Sequence, residues 1–187
     1  MIQKMEAILR SLSIEYVVIG GVATSMQGKP RMTMDTDVVL ILEKDRIEPL
    51  IQQMKEGGFS VTVNSKPKII SRLSRGLPIK LRHKKNFSVD LRIASYTLDK
   101  NAIRRARKYL LFDVKLPIAS VEDLIVYKLA RFDSVDQSDI ESLIIRHRNK
   151  IDKIYLVETT NKLIEETDNK EIQKHLAMIL SWLKEKS

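Results

Sequence analysis

Cysteine is absent from the chain, which excludes a disulfide framework and any thiolate metal site. Glycine and proline are scarce, six and five in 187 residues, leaving no room for flexible low-complexity linkers. Aromatic residues make up 5%, too few for a base-stacking platform along single-stranded nucleic acid. No run approaches the roughly 18 to 20 apolar residues needed to cross a bilayer. The opening MIQKMEAILRSLS reads as an amphipathic helix whose apolar part is too short for a secretory signal. These absences lead to the expectation of a cytoplasmic protein with no membrane association.

What the chain does have is the composition of a folded domain, 43% hydrophobic and 30% charged, with length for one substantial core or one core plus a helical appendage. Basic residues outnumber acidic ones, giving a formal net charge of +9. Such a charge attracts phosphate-rich partners through counterion release, and it equally describes a lysine-rich solvated surface. Basic residues gather in two places: Lys80, Arg82, Lys84, Lys85 and Arg92, then Arg104, Arg105, Arg107 and Lys108.

Ile2, Met5, Ile8, Leu9 and Leu12 at helical spacing predict a helix over 2–12. EYVVIGG predicts a buried strand ending at a double glycine, followed by a helix that stops at Gly28 because Pro30 bars continuation. A second strand is expected over 34–42, then a helix closed by Gly57 and Gly58. Strands near 59–63, 78–83 and 87–93 follow, separated by irregular chain. A basic helix near 99–108 leads to one strand, YLLFDVKL. From Ser120 onward the pattern is helical, over 120–131, 137–149, 151–166 and 170–184. Strands early and helices late predict an α+β fold, a mixed β-sheet flanked by helices with a C-terminal helical extension, rather than a doubly wound one. Residues 1–118 form the expected core and 119–187 the helical region packed on it. The apolar stripes of the last two helices suit packing on the body or on another chain, so a monomer and a homodimer both remain open.

The informative stretch is GGVATSMQGKPRMTMDTDVVLIL, residues 20–42. Asp35 and Asp37 stand two apart on a strand and therefore share one face. Carboxylates at the mouth of an apolar strand need a cation, a hydrogen-bond partner or a route to solvent. In FSVDLRIA, Phe87, Val89, Leu91 and Ile93 occupy one face, leaving Ser88, Asp90 and Arg92 on the other. If the two strands are neighbours, three carboxylates converge and favour a cation. Hard oxygen ligands without histidine or cysteine select magnesium, with manganese as substitute. Each piece also has a plainer explanation: turn or capping chemistry for the D-x-D, and pairing with Arg92 for Asp90. Gly20 and Gly21 sit between strand and helix, where free N–H groups and the helix dipole can hold a phosphate, and where glycine also permits a tight turn.

Lys128 falls on the apolar face of its helix, an unusual place for lysine. It either snorkels to the helix end or binds a phosphate or an aspartate of the site. Asp123 lies three after Ser120, and Asp139 three after Asp136, spacings that fit capping boxes. His83, His147 and His175 are scattered and form no cluster.

VIGGVATSMQGKPRMTMDTDVVL resembles the signature of the nucleotidyltransferase fold, the DNA polymerase beta-like superfamily, in the form found in small bacterial and archaeal proteins related to AbiE-type toxins. LPIASVEDLIVYKLARFDSVDQSDIESLI is similar to the downstream helical block of the same family. Together the two blocks, with Asp90 between them, cover about residues 15–145. The resemblance implies transfer of a nucleoside monophosphate from a nucleoside triphosphate to a hydroxyl. It makes Asp35, Asp37 and Asp90 the magnesium ligands and catalytic carboxylates. Gly20, Gly21, Arg31, Thr33 and Lys128 become the nucleotide-binding candidates, Arg31 only if the strand extends back that far. RNA, a tRNA end above all, and an antitoxin-like protein are the implied partners. In the family an arginine follows the lysine by about five residues; this chain has Asp133 there, with Arg131 nearby. The alternative is a degenerate member that binds nucleotide, RNA or protein without turnover.

Overall fold

The computed structural model describes residues 1–63, 65–83 and 87–185; Lys84 and Lys85 of the first basic cluster lie outside them. α1 (Ile2–Ser11) buries Ile2, Met5 and Leu9, as its spacing requires. β1 (Tyr16–Ile19) runs directly into α2 (Gly20–Gln27). β2 (Asp35–Leu40) is followed by a short 3-10 turn, Lys44–Arg46, and α3 (Ile47–Glu56). β3 (Ser60–Val61), α4 (Lys66–Ser74), β4 (Ile79–Arg82), β5 (Ser88–Ile93) and α5 (Thr97–Arg105) come next. β6 (Arg107–Leu111) and β7 (Val114–Ile118) complete the strands. The chain then turns wholly helical in α6 (Val121–Leu129), α7 (Ser134–His147), α8 (Lys153–Thr167) and α9 (Glu171–Glu185).

The strands form one mixed sheet in the order β3-β4-β5-β2-β1-β7-β6. β1 and β2 are antiparallel, while β2–β5 and β1–β7 are parallel. The expected mixed sheet with flanking helices is therefore present. Its central strands carry fully buried Val17, Val18, Val38, Val39, Val89 and Leu91. Burial on both faces explains why these strands read as near-continuous apolar runs.

Three elements differ from expectation. The segment read as irregular between β3 and β4 contains α4; it begins at Lys66 with Pro67 in the first turn and buries only Ile69 and Leu73. So short an apolar stripe carries little periodic signal. The single strand expected over YLLFDVKL is a hairpin, β6 paired antiparallel with β7. Its two-residue turn, Phe112 and Asp113, has φ of 48° and 62°, a left-handed pair usually announced by Asn-Gly. α7 begins at Ser134, not residue 137. Asp133 caps it by accepting from the N–H groups of Val135 and Asp136 at 3.0 and 2.9 Å, so Asp136 is not the cap.

One ion pair anchors β5 to the helical layer. The Arg92 guanidinium donates twice to fully buried Asp99, at 2.8 and 2.6 Å. Asp99 also accepts from the backbone of Ser95 and Tyr96 and from the Tyr127 hydroxyl. Arg92 thus pairs away from Asp90. Burial pushes the Asp99 carboxyl up, but the Arg92 bonds and charge outweigh it and hold it below the usual range. A carboxyl whose folded pKa is depressed adds stability above its unfolded value, near 3.9, and loses it as pH falls through the folded value. Asp99→Ala is expected to cost about 3–5 kcal/mol at neutral pH, leaving a buried guanidinium unpaired. The difference from the parent should narrow in melts taken below about pH 4.

Candidate active site

The β1–α2 junction sets the site. Gly20 adopts φ +65°, a conformation that disfavours residues with a Cβ, and a methyl group on it would overlap the Asp37 carboxylate. A Cβ on Gly21 would stand 3.0 Å from both the Arg31 guanidinium and the Thr33 hydroxyl. The two glycines therefore let Asp37 and the 31–33 segment close onto the start of α2. Ile19 and Asp37 are register partners, and the Gly21 N–H donates to Asp37. In this state that amide serves a carboxylate.

Asp37 is opposite Asp90 across β2 and β5, and Asp90 is opposite Lys80 across β5 and β4. Register partners point to the same sheet face, so these three form one row. Asp35 and Ser88 form the next row, and the Ser88 hydroxyl donates to Asp35. Lys80 Nζ lies 3.1 Å from Asp35 Oδ2 and 3.4 Å from Asp90 Oδ2. Thr36, between the two aspartates, is buried on the opposite face.

The environments of the three carboxylates differ. The Ser88 hydroxyl, aided by Lys80, lowers the Asp35 carboxyl below its ordinary range. Burial, then the charges of Asp90 and Asp35, raise Asp37 despite the Gly21 amide and Lys128. Burial raises Asp90 against the opposing charge of Lys80. Burial works against the Lys80 ammonium, but its bonds to Asp35 and Asp90 hold it charged, above the usual lysine range. Among the described residues no group of three or more carboxylate, histidine or cysteine side chains is arranged to enclose a metal ion. The donor chemistry nevertheless suits a hard divalent cation: oxygen ligands only, with three carboxylates and one ammonium on a single face.

Beside this row, α6 and α7 hold a second network. Buried Lys128 donates to Asp136 at 3.0 Å and to Asp139 at 2.7 Å. Arg31 pairs with Asp139 at 3.0 Å, and Arg131 pairs with Asp136 at 2.8 Å and Asp133 at 2.9 Å. Asp139 is therefore an ion-pair residue in the second turn of its helix, correcting the capping assignment. Lys128 does not snorkel. Its ammonium and the Arg131 guanidinium both interact with the charge of Asp37. Asp123 does sit at a cap, its N–H donating to Ser120 Oγ at 3.2 Å. β2 begins at Asp35, so strand parity does not reach Arg31; its side chain turns to Asp139. Thr33 Oγ1 donates to the Asp35 carbonyl at 3.2 Å.

Lys80 and the Asp136–Asp139 pair were not singled out as site partners by sequence reasoning. A signal existed for both: Ile79 and Leu81 alternate with Lys80 and Arg82, and Asp136 and Asp139 are three apart on one helical face.

The solved structures similar to this chain include lincosamide antibiotic adenylyltransferase LnuA with lincomycin bound, at 15% identity over 76% of this chain and 93% of that one, with a TM-score of 0.54. The solution structure of the antibiotic-resistance factor ANT(2'')-Ia shares 13% identity over 96% and 89%, with a TM-score of 0.52. ANT(2'')-Ia in complex with adenylyl-2''-tobramycin shares 14% over 96% and 95%, at 0.51. At these identities the likeness is one of fold. No curated protein matches the chain. The family model described as "Nucleotidyltransferase of unknown function (DUF6036)" matches residues 1–186, nearly the full length, and the chain belongs to that nucleotidyltransferase family.

Proposed function

We propose that the chain is a divalent-metal-dependent nucleotidyltransferase that moves a nucleoside monophosphate from a triphosphate to a hydroxyl, with RNA as the acceptor. The observation that carries this reading is the row of Asp37 and Asp90 in register on adjacent strands, against the Gly20–Gly21 turn. Asp35, Asp37 and Asp90 would hold magnesium, which when bound neutralises triphosphate charge and polarises the α-phosphate. The acceptor oxygen attacks the α-phosphorus as the bond to the β-phosphate oxygen breaks and pyrophosphate leaves. Asp90, with its carboxyl above the ordinary range, takes the hydroxyl proton. Positioning by the glycine turn and by Arg31 supplies the remainder.

The RNA acceptor is supported by the formal net charge of +9 and by exposed Arg104, Arg107 and Lys108 of the second basic cluster. Of the first basic cluster, Lys80 and Arg92 are committed to carboxylates. In the second, Arg105 is held by Glu122 and Asp123, while Arg107 and Lys150 line a cavity of about 470 Å³ together with Glu122 and Asp152. Gln27, the last residue of α2, lines it too, placing it about 10 Å along that helix from Gly20.

The deciding experiment is incubation with each α-labelled ribonucleoside triphosphate, magnesium and total RNA, beside an Asp35→Asn Asp37→Asn control. Label on RNA with the parent alone supports the reading, and the triple variant Arg107→Glu Lys108→Glu Lys150→Glu should label at least about tenfold less, with a flatter salt dependence. Label on added small hydroxylated compounds instead would retain the transferase and discard the RNA acceptor. A second reading, a binding module without turnover, draws on Asp133, whose charge is spent on the α7 cap and Arg131; no transfer from a folded, metal-binding parent would favour it.

A further inference from the structure

We propose that Lys80 is a resident counter-ion of the site: its ammonium spans Asp35 and Asp90, so that a divalent cation must displace it to bind. The inference rests on the reading of Asp35, Asp37 and Asp90 as metal ligands. Lys80 lies directly across β4–β5 from Asp90, and its Nζ reaches one oxygen of each outer carboxylate, at 3.1 and 3.4 Å. Its position is built rather than adventitious, because Ile79 and Leu81 on either side are buried in the core and fix which face the ammonium occupies.

Two consequences follow from charge alone. Without Lys80, three carboxylates would face one another across two strands, and their repulsion would oppose folding. With it, a free divalent ion competes against an ammonium already in place. The triphosphate offers that ammonium a new anionic partner, so metal and triphosphate binding favour one another. Lys80 is then a positioning residue, exchanging the carboxylates for a phosphate as the site loads.

The test is manganese binding without nucleotide, followed by the electron paramagnetic resonance signal of the free ion, for the parent, Lys80→Met, Lys80→Gln and Lys80→Arg. An Asp35→Asn Asp37→Asn protein reports the background. Removing the positive charge is expected to tighten manganese binding about tenfold, whereas Lys80→Arg stays within about twofold of the parent. Melting curves give a second readout: Lys80→Met and Lys80→Gln should gain more from added manganese than the parent does. If either neutral variant binds manganese no more tightly than the parent, while binding still depends on the aspartates, the counter-ion role is overturned and the metal reading stands. If no variant shows aspartate-dependent manganese binding, the metal reading fails and this inference fails with it.

Discussion

Asp37→Asn is expected to lower nucleotidyl transfer by about a thousandfold or more while leaving the melting temperature, measured without divalent ion, equal to or above that of the parent. The two effects share one cause. Asp37 is central among the three carboxylates, opposite Asp90 and two residues from Asp35. Burial and both neighbouring charges disfavour its ionised form. Asparagine keeps an oxygen for the Gly21 N–H and removes the charge, relieving the folded protein of a repulsion that the Gly21 amide and Lys128 offset only in part. The same charge would hold the metal that binds the triphosphate, so its loss falls on the reaction. Steady-state transfer with the labelled acceptor and a melt of the metal-free protein check both halves. Transfer within tenfold of the parent would remove Asp37 from the machinery. A drop of several degrees would show that Lys128 and the Gly21 amide already compensate its charge.

Lys128→Met should produce the largest loss of stability of any single change near the site, about 3–5 kcal/mol. For a chain of this length that corresponds to a fall of about 6 to 20 °C in melting temperature. The ammonium is buried and shared by Asp136 and Asp139. Methionine preserves the stem's packing but leaves two buried carboxylates with only Arg131 and Arg31 to answer them. Because it is the uncompensated charge that costs, adding Asp139→Asn to Lys128→Met should restore part of the loss, and the coupling can be read from a double-mutant cycle. A loss below about 1 kcal/mol would mean that the two aspartates already reach water. Since Arg31 is anchored on Asp139, the variant carrying Asp139→Asn should also show weakened triphosphate affinity, whereas Lys128→Met keeps that anchor.

The sequence by itself determined more of the site than of its surroundings. The two-residue spacing of Asp35 and Asp37 placed them on one face whatever the neighbours were. The double glycine before a helix marked a junction only glycine fits comfortably, borne out at Gly20 by a left-handed φ of 65°. Alternation in FSVDLRIA placed Asp90 and Ser88 together, and the apolar runs announced buried central strands. All of these are local, following from strand periodicity or from glycine's backbone freedom, which a single element expresses without knowledge of its partners.

What only the tertiary structure decided is which element lies beside which, and therefore where each charge goes. That β5 lies beside β2, and β4 beside β5, makes Lys80 the partner of Asp35 and Asp90. The α6–α7 packing turns Asp139 from an apparent cap into the partner of Arg31, 108 residues away in sequence. Arg107 and Lys150 come to share one cavity with Glu122 and Asp152 because the start of β6, the start of α6 and the chain after α7 meet there. Short elements, such as α4 and the Phe112–Asp113 turn, escaped sequence reading because their stability comes from packing rather than from residue preference. Ion pairs escaped it because Coulomb attraction depends on distance in space, and distance in space between remote residues is a property of the folded sheet and its helices alone.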